Sequence, residues 1–160
     1  MTDPVKSLFV SDTGPLISWA RAEQLPLLRQ LVGEVTIPEA VVKELDKPGR
    51  PGAELVHAEW IRRYTLPVGT PRTGFPKDLG EGEREAIAVA GLLGAFLVID
   101  DASAREEAEK RGIPCVTTLR LLIQAKQEQR VEKIAPILAT FRQTGFRVSD
   151  TVAGDFLSNR

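Results

Sequence analysis

The 160-residue chain is poor in the side chains on which much enzyme chemistry rests, with one cysteine, Cys115, and one histidine, His57. A single cysteine excludes an intrachain disulfide and a thiolate metal cluster; within Pro114-Cys115-Val116 it reads as a small buried hydrophobe. One histidine excludes a His-rich zinc site and leaves a Ser-His-Asp triad without support. His57 stands in Leu55-Val56-His57-Ala58-Glu59-Trp60, a helical-looking stretch far from any acidic motif, and reads as solvated or partly packed. No apolar run approaches the roughly 18 to 20 residues of a membrane span, and no basic-then-apolar leader opens the chain. A cytoplasmic protein with no membrane partner is therefore expected. Basic excess is also missing: 21 Lys and Arg face 22 Asp and Glu, a net charge of −1, which argues against bulk nucleic-acid affinity while leaving room for a local basic rim. Catalysis, if present, rests on carboxylates.

What the chain does have is a repeated strand-then-helix rhythm. Leu8-Phe9-Val10 ends in Ser11-Asp12-Thr13-Gly14, and Pro15 then opens a helix to Ala22, at a position where its missing N–H costs nothing. Leu25 to Val32 continues as a helix with an apolar stripe, stopped by Gly33. Val35-Thr36-Ile37 is β-branched and leads through Pro38 into a helix over 39–45. A turn cluster at 47–52 precedes an expected amphipathic helix from Ala53 to Arg63. A Pro/Gly-rich loop over 66–79 follows, then the acidic opening 80–85 of an alanine-rich helix from Ala86 to Leu93. Ala95 to Ile99 reads as a buried strand ending in Asp100-Asp101; a helix over 102–111, a strand over 113–117 and helices over 119–130 and 135–144 complete the pattern. Phe146-Arg147-Val148 is expected as a short strand, and Ser149-Asp150 as the cap of a last short helix. Such alternation specifies an α/β fold, a mostly parallel sheet covered by helices on both faces, within a single domain.

In such sheets chemistry collects beyond the carboxyl ends of the strands. Acids are delivered to that edge, or near it, by Asp12, Glu44, the Glu81/Glu83/Glu85 group and Asp100-Asp101. Each has an ordinary structural use, as a helix cap, a dipole partner or a solvated face residue. Together they point to a cation: two like charges about 4 Å apart repel by roughly 4 kcal/mol at an effective dielectric of 20, and a set of hard oxygen donors suits Mg²⁺ or Mn²⁺.

These residues resemble the PIN-domain family, metal-dependent nucleases that include the VapC-type toxins of toxin-antitoxin pairs. The likeness is carried by Val10-Ser11-Asp12-Thr13-Gly14-Pro15-Leu16-Ile17, Ile37-Pro38-Glu39-Ala40-Val41-Val42-Lys43-Glu44-Leu45, Gly82-Glu83-Arg84-Glu85-Ala86-Ile87-Ala88 and Leu97-Val98-Ile99-Asp100-Asp101. The closing stretch, from Leu119-Arg120-Leu121-Leu122 to Gly145-Phe146-Arg147-Val148-Ser149-Asp150, is similar to a prokaryotic PIN-like branch with a C-terminal extension. The resemblance implies a three-layer α/β/α PIN-like domain over 1–134 and a helical extension over 135–160 packed on it. It implies a Mg²⁺- or Mn²⁺-dependent endoribonuclease with Asp12, Glu44, Glu83 and Asp101 as catalytic acids. Glu83 stands where the family more often has Asp; Glu85 and Asp100 remain alternative metal ligands beside Glu83 and Asp101. The Thr13 hydroxyl is then placed to orient a carboxylate or water, and Arg72, Lys77, Arg105 and Lys110 to meet the RNA backbone. A small antitoxin and a homodimer are the partners implied. The rival within the same fold is a catalytically inactive binding or assembly module. A haloacid-dehalogenase-like phosphatase is disfavoured by Gly14, where a second Asp is needed, and a receiver domain by the lack of a lysine in Thr117-Thr118-Leu119.

Overall fold

The computed structural model describes residues 7–147 apart from Arg72. Five strands form one sheet: β1 (Phe9–Ser11), β2 (Val35–Pro38), β3 (Ile61–Tyr64), β4 (Phe96–Val98) and β5 (Cys115–Val116). Their order is β3-β2-β1-β4-β5, and every neighbouring pair is parallel. Seven α-helices are described: α1 (Thr13–Arg21), α2 (Leu25–Val32), α3 (Glu39–Leu45), α4 (Glu81–Leu93), α5 (Ala102–Lys110), α6 (Thr118–Gln127) and α7 (Ala135–Gln143).

Parallel strands need crossovers, and right-handed crossovers decide which face each helix covers. Successive steps from β1 through β2 to β3 run one way across the sheet, so the helices between them share a face. The chain then returns past β1 to β4 and β5, which puts α4 and α5 on the other face. Two apolar clusters record this division. One joins Leu16 and Trp19 of α1, Leu28 of α2, Leu45 of α3, Leu121 of α6 and Leu138 and Phe141 of α7 beneath Val35, Ile37 and Val98. The other joins Ala86, Ile87 and Ala90 of α4 and Ala104 and Ala108 of α5 to Val10, Leu97 and Ile99. Val10 and Val98 thus face opposite layers from adjacent strands, as the period of two demands. The three-layer α/β/α arrangement is the one expected. Helix α7 belongs to the first cluster: Phe141 is fully buried and meets the Trp19 ring edge-on at 5.0 Å.

Three expectations are corrected. The helix over 53–63 is instead a 3-10 turn (Ala53–His57) followed by the edge strand β3. Only Ile61 of this segment packs inward along the strand, while Arg62 and Arg63 are exposed. Pairing with β2 from Val35↔Ile61 to Pro38↔Tyr64 outweighs a local pattern that suits either structure. Helix α4 begins at Glu81, about one and a half turns earlier than Ala86, so Glu83 and Glu85 are helical residues. Phe146 and Arg147 form no strand, whereas Val148 and the Ser149-Asp150 cap lie outside the described residues.

Candidate functional site

The strand order reverses direction between β1 and β4, which makes their carboxyl ends the switch point where a crevice opens. Asp12 follows β1 directly, and its backbone N–H donates to the Val98 carbonyl of β4 at 3.2 Å, which fixes it against that strand. Asp101 follows β4 and caps α5, its Oδ2 accepting from the Ala104 N–H at 2.9 Å. Glu83 stands in the first turn of α4 and its Oε1 accepts from the Gly80 N–H at 3.0 Å. Capping and site-building are therefore compatible roles: in Asp101 and Glu83 the fold's cap uses one carboxylate oxygen and leaves the other. Glu44 reaches the same place from α3, which packs against α4.

Gly82 permits that approach. A Cβ at this position would run into the Glu44 carboxylate and would lie 3.5 Å from Asp12 Oδ1. Glycine inside a helix costs about 1 kcal/mol relative to alanine, so a glycine between Glu81 and Glu83 was itself a signal of close packing that sequence reasoning left unused. Gly82→Ala is expected to leave the fold intact, because only the flexible end of Glu44 must move, yet to weaken Mn²⁺ binding by about tenfold, the scale of supporting-residue losses at metal sites. Calorimetric titration with Mn²⁺ beside a urea melt in EDTA separates the two effects.

Of the four acids, Asp12 and Glu83 feel the neighbouring ones. Burial pushes the Asp12 carboxyl up to about 7, and the charges of Glu83 and Glu44 act in the same direction. The Thr13 and Gly14 N–H groups pull it down, although neither reaches the geometry of a helix-capping hydrogen bond. Glu83 is likewise raised, first by burial and then by Asp101 and Glu44, against the Gly80 N–H. Among the described residues no lysine or arginine forms an ion pair with any of the four. Nor do three His, Cys, Asp or Glu side chains among them stand as a ready-made coordination shell. The arrangement is a set of neighbouring carboxylates with no ion-paired counter-charge among the described residues.

Glu85 and Asp100 lie elsewhere in the hydrogen-bond pattern. Buried Glu85 accepts from the Ala40 N–H at 3.1 Å and so anchors the start of α3. Both oxygens of Asp100 accept from Thr118, the backbone N–H at 2.8 Å and the hydroxyl at 2.6 Å. Burial raises the Asp100 pKa, and these two hydrogen bonds and the nearby Arg105 charge oppose it. The Thr13 hydroxyl is buried beside Asp12 without a hydrogen-bond partner, so it orients no carboxylate.

The expected RNA contacts are scattered. Lys77 is in the loop before α4, next to Asp78, whose carboxylate accepts from Ser103 Oγ at 2.6 Å; this holds the loop beside the start of α5. Arg111 secures the same loop by covering the Phe75 ring at 3.8 Å and donating to the Gly74 carbonyl at 3.3 Å. Arg105 is partly buried on α5 and near Asp100. Lys110 ends α5, roughly 14 Å along the helix from Asp101, and pairs with Glu106 at 3.7 Å, which takes it away from the carboxylates. Arg72 lies outside the described residues.

A family model described as a PIN domain matches residues 8–159. The chain belongs to the PIN-domain family. PIN domains are in general a nuclease fold, typically dependent on divalent metal. The fold of this PIN domain is similar to that of a PilT N-terminus domain protein from the hyperthermophilic archaeon Sulfolobus solfataricus. The TM-score is 0.57 and the identity 20%, over 74% of this chain and 92% of that one. A domain of a functionally unknown protein from Methanocaldococcus jannaschii is similar at a TM-score of 0.48 and 22% identity, over 69% of this chain and 90% of that one. No curated protein matches the chain. Among the described residues no helix is long and apolar enough to cross a membrane.

Proposed function

We propose that this PIN domain is a Mg²⁺- or Mn²⁺-dependent endoribonuclease whose metal-holding acids are Asp12, Glu44, Glu83 and Asp101. The observation that carries the reading is the convergence of these acids from the ends of β1 and β4 and from α3 and α4, with the Glu44 carboxylate and Asp12 meeting at Gly82 and Glu83 near both Glu44 and Asp101, and with no basic ion-pair partner among the described residues. The donor set fits the ion, being all oxygen and all anionic. When bound, the ion supplies an activated water and stabilises negative charge on the phosphate and the leaving oxygen. Asp12 and Glu83, whose protons are retained to unusually high pH without it, hold the ion by giving up those protons. Thr13 offers its free hydroxyl to a water held beside Asp12. Lys77, in the loop before α4, and Arg105, near Asp100, are the described cations proposed to meet the phosphate backbone and set the salt dependence of binding.

Hydrolysis of a mixed set of structured and single-stranded RNAs tests the reading. Wild-type protein is expected to cleave in Mn²⁺ and Mg²⁺ and not in EDTA, and Glu44→Gln to be slower by roughly 10²-fold at unchanged EDTA stability. Activity in EDTA would count against a metal site.

The toxin role, with its small antitoxin and homodimer, rests on the family resemblance. Co-purification with the product of an adjoining reading frame, and relief of growth arrest by that product, tests it. A non-catalytic module is the second reading, favoured by the longer Glu83 at a position where an Asp is commoner. Mn²⁺ binding without cleavage of any RNA in the set is its expected result.

A further inference from the structure

Resting on the proposed metal site, we infer that Thr118, locked by the Trp19 indole, is a positioning residue that holds the end of β4 so that Asp101 faces Glu83. Trp19, Thr118 and Phe141 are each fully buried. Trp19 Nε1 donates to Thr118 Oγ1 at 3.1 Å, and Thr118 Oγ1 lies 2.6 Å from Asp100 Oδ2. An indole N–H can only donate and an ionised carboxylate can only accept, so the hydroxyl accepts from Trp19 and donates its proton to Asp100. The Thr118 N–H holds the other Asp100 oxygen at 2.8 Å. Asp100 is thus gripped at both oxygens by the start of α6, and the next peptide carries Asp101, whose own Oδ2 is tied to Ala104. With its neighbour clamped on one side and its helix cap on the other, Asp101 has one oxygen left over from the cap, facing Glu83, and little freedom in where to point it. The clamp also spans the domain: α1 supplies Trp19, α6 supplies Thr118, and α7 backs the indole with Phe141.

Thr118→Val keeps the shape and the backbone N–H and deletes the hydroxyl, leaving the Asp100 oxygen and the indole N–H without their partner. Thr118→Ser restores that hydroxyl. Mn²⁺ affinity by calorimetry is the readout, with urea melts in EDTA run beside it. Thr118→Val is expected to bind Mn²⁺ about tenfold more weakly, in the range of losses from outer partners at metal sites, and Thr118→Ser to recover wild-type affinity within about threefold. Should Thr118→Val fail to fold, Trp19→Phe frees the hydroxyl to rotate and is expected to weaken binding in the same sense. Wild-type affinity in the folded Val variant, or equal losses in Val and Ser, would overturn the positioning role. A wild-type protein that binds no Mn²⁺ would overturn the metal-site reading and this inference with it.

Discussion

Asp12→Asn is expected to remove metal-dependent cleavage and, at the same time, to stabilise the protein in EDTA above neutral pH. The first effect follows from deleting an anionic ligand: several kcal/mol of charge stabilisation corresponds to roughly 10³-fold in rate. The second follows from burial. In the folded chain the Asp12 carboxyl titrates at about 7, against 3.8 for the ordinary group. Between those values the folded protein holds a proton that the unfolded chain has released, so its stability is fully present below about pH 4 and falls as the pH rises towards 7. Above 7 the penalty is constant. Glu83 is shifted in the same direction and adds to the slope. The amide of the Asp12→Asn variant carries no such charge, so urea melts in EDTA should show the variant more stable by about 2–4 kcal/mol at pH 8, with the difference closing near pH 4. Mn²⁺ should raise the stability of the wild type and leave the variant unmoved. A variant less stable than wild type at pH 8 would mean that Asp12 is held by a compensating partner and would sink the account of a charge-strained site.

Phe141→Ala is expected to cost about 3–5 kcal/mol of global stability, read as a lower urea midpoint with a shared transition for the whole chain. Truncating a fully buried phenylalanine in a packed core has this magnitude. Phe141 has no exposed surface and contacts Trp19 at 5.0 Å and Phe146 at 5.7 Å, both edge-on. A loss below about 1 kcal/mol, or a separate early transition for the C-terminal residues, would show that α7 is an appendage with its own stability. The single transition is expected because α7 completes the same apolar cluster as α1, α2 and α6, to which Ile134 and Leu138 belong together with Leu121 and Leu122. The same substitution removes the ring behind Trp19, so it also tests how far the clamp on Asp100 depends on α7.

Much of the architecture was legible because local rules and tertiary needs agreed. Phe9-Val10 before Asp12, and Leu97-Val98-Ile99 before Asp100-Asp101, could only be read as buried strands delivering acids to one edge, and they pair as neighbours on either side of the switch point. The amphipathic stripe of α2, the glycine ends at Gly33 and Gly94, and the paired use of Pro and acid at helix starts likewise carried their meaning in the residues themselves. Where local rules were silent, the reading stayed open or went astray. Leu55, Val56, Trp60 and Ile61 suit a helical stripe, and nothing within 53–63 reveals that β2 requires a partner on its outer side.

The choice among the acids belongs to the same class. Glu83 and Glu85 are two residues apart, which on a helix places them about 200° from each other, so only one can face α3's Glu44. Periodicity sets that angle but not which face turns inward. In the structure Glu83 lies by the charges of Asp101 and Glu44, whereas Glu85 holds the start of α3. Asp100 and Asp101, adjacent beyond β4, take different partners, Thr118 for the first and the Ala104 N–H for the second. Thr118, 18 residues further on, decides which is tied down. The sequence by itself determined four of the five strands, most of the covering helices and the edge at which the acids would gather, because those follow from patterns within a few residues. The tertiary structure alone decided which acids meet, because a carboxylate's partners are set by contacts between segments far apart in the chain.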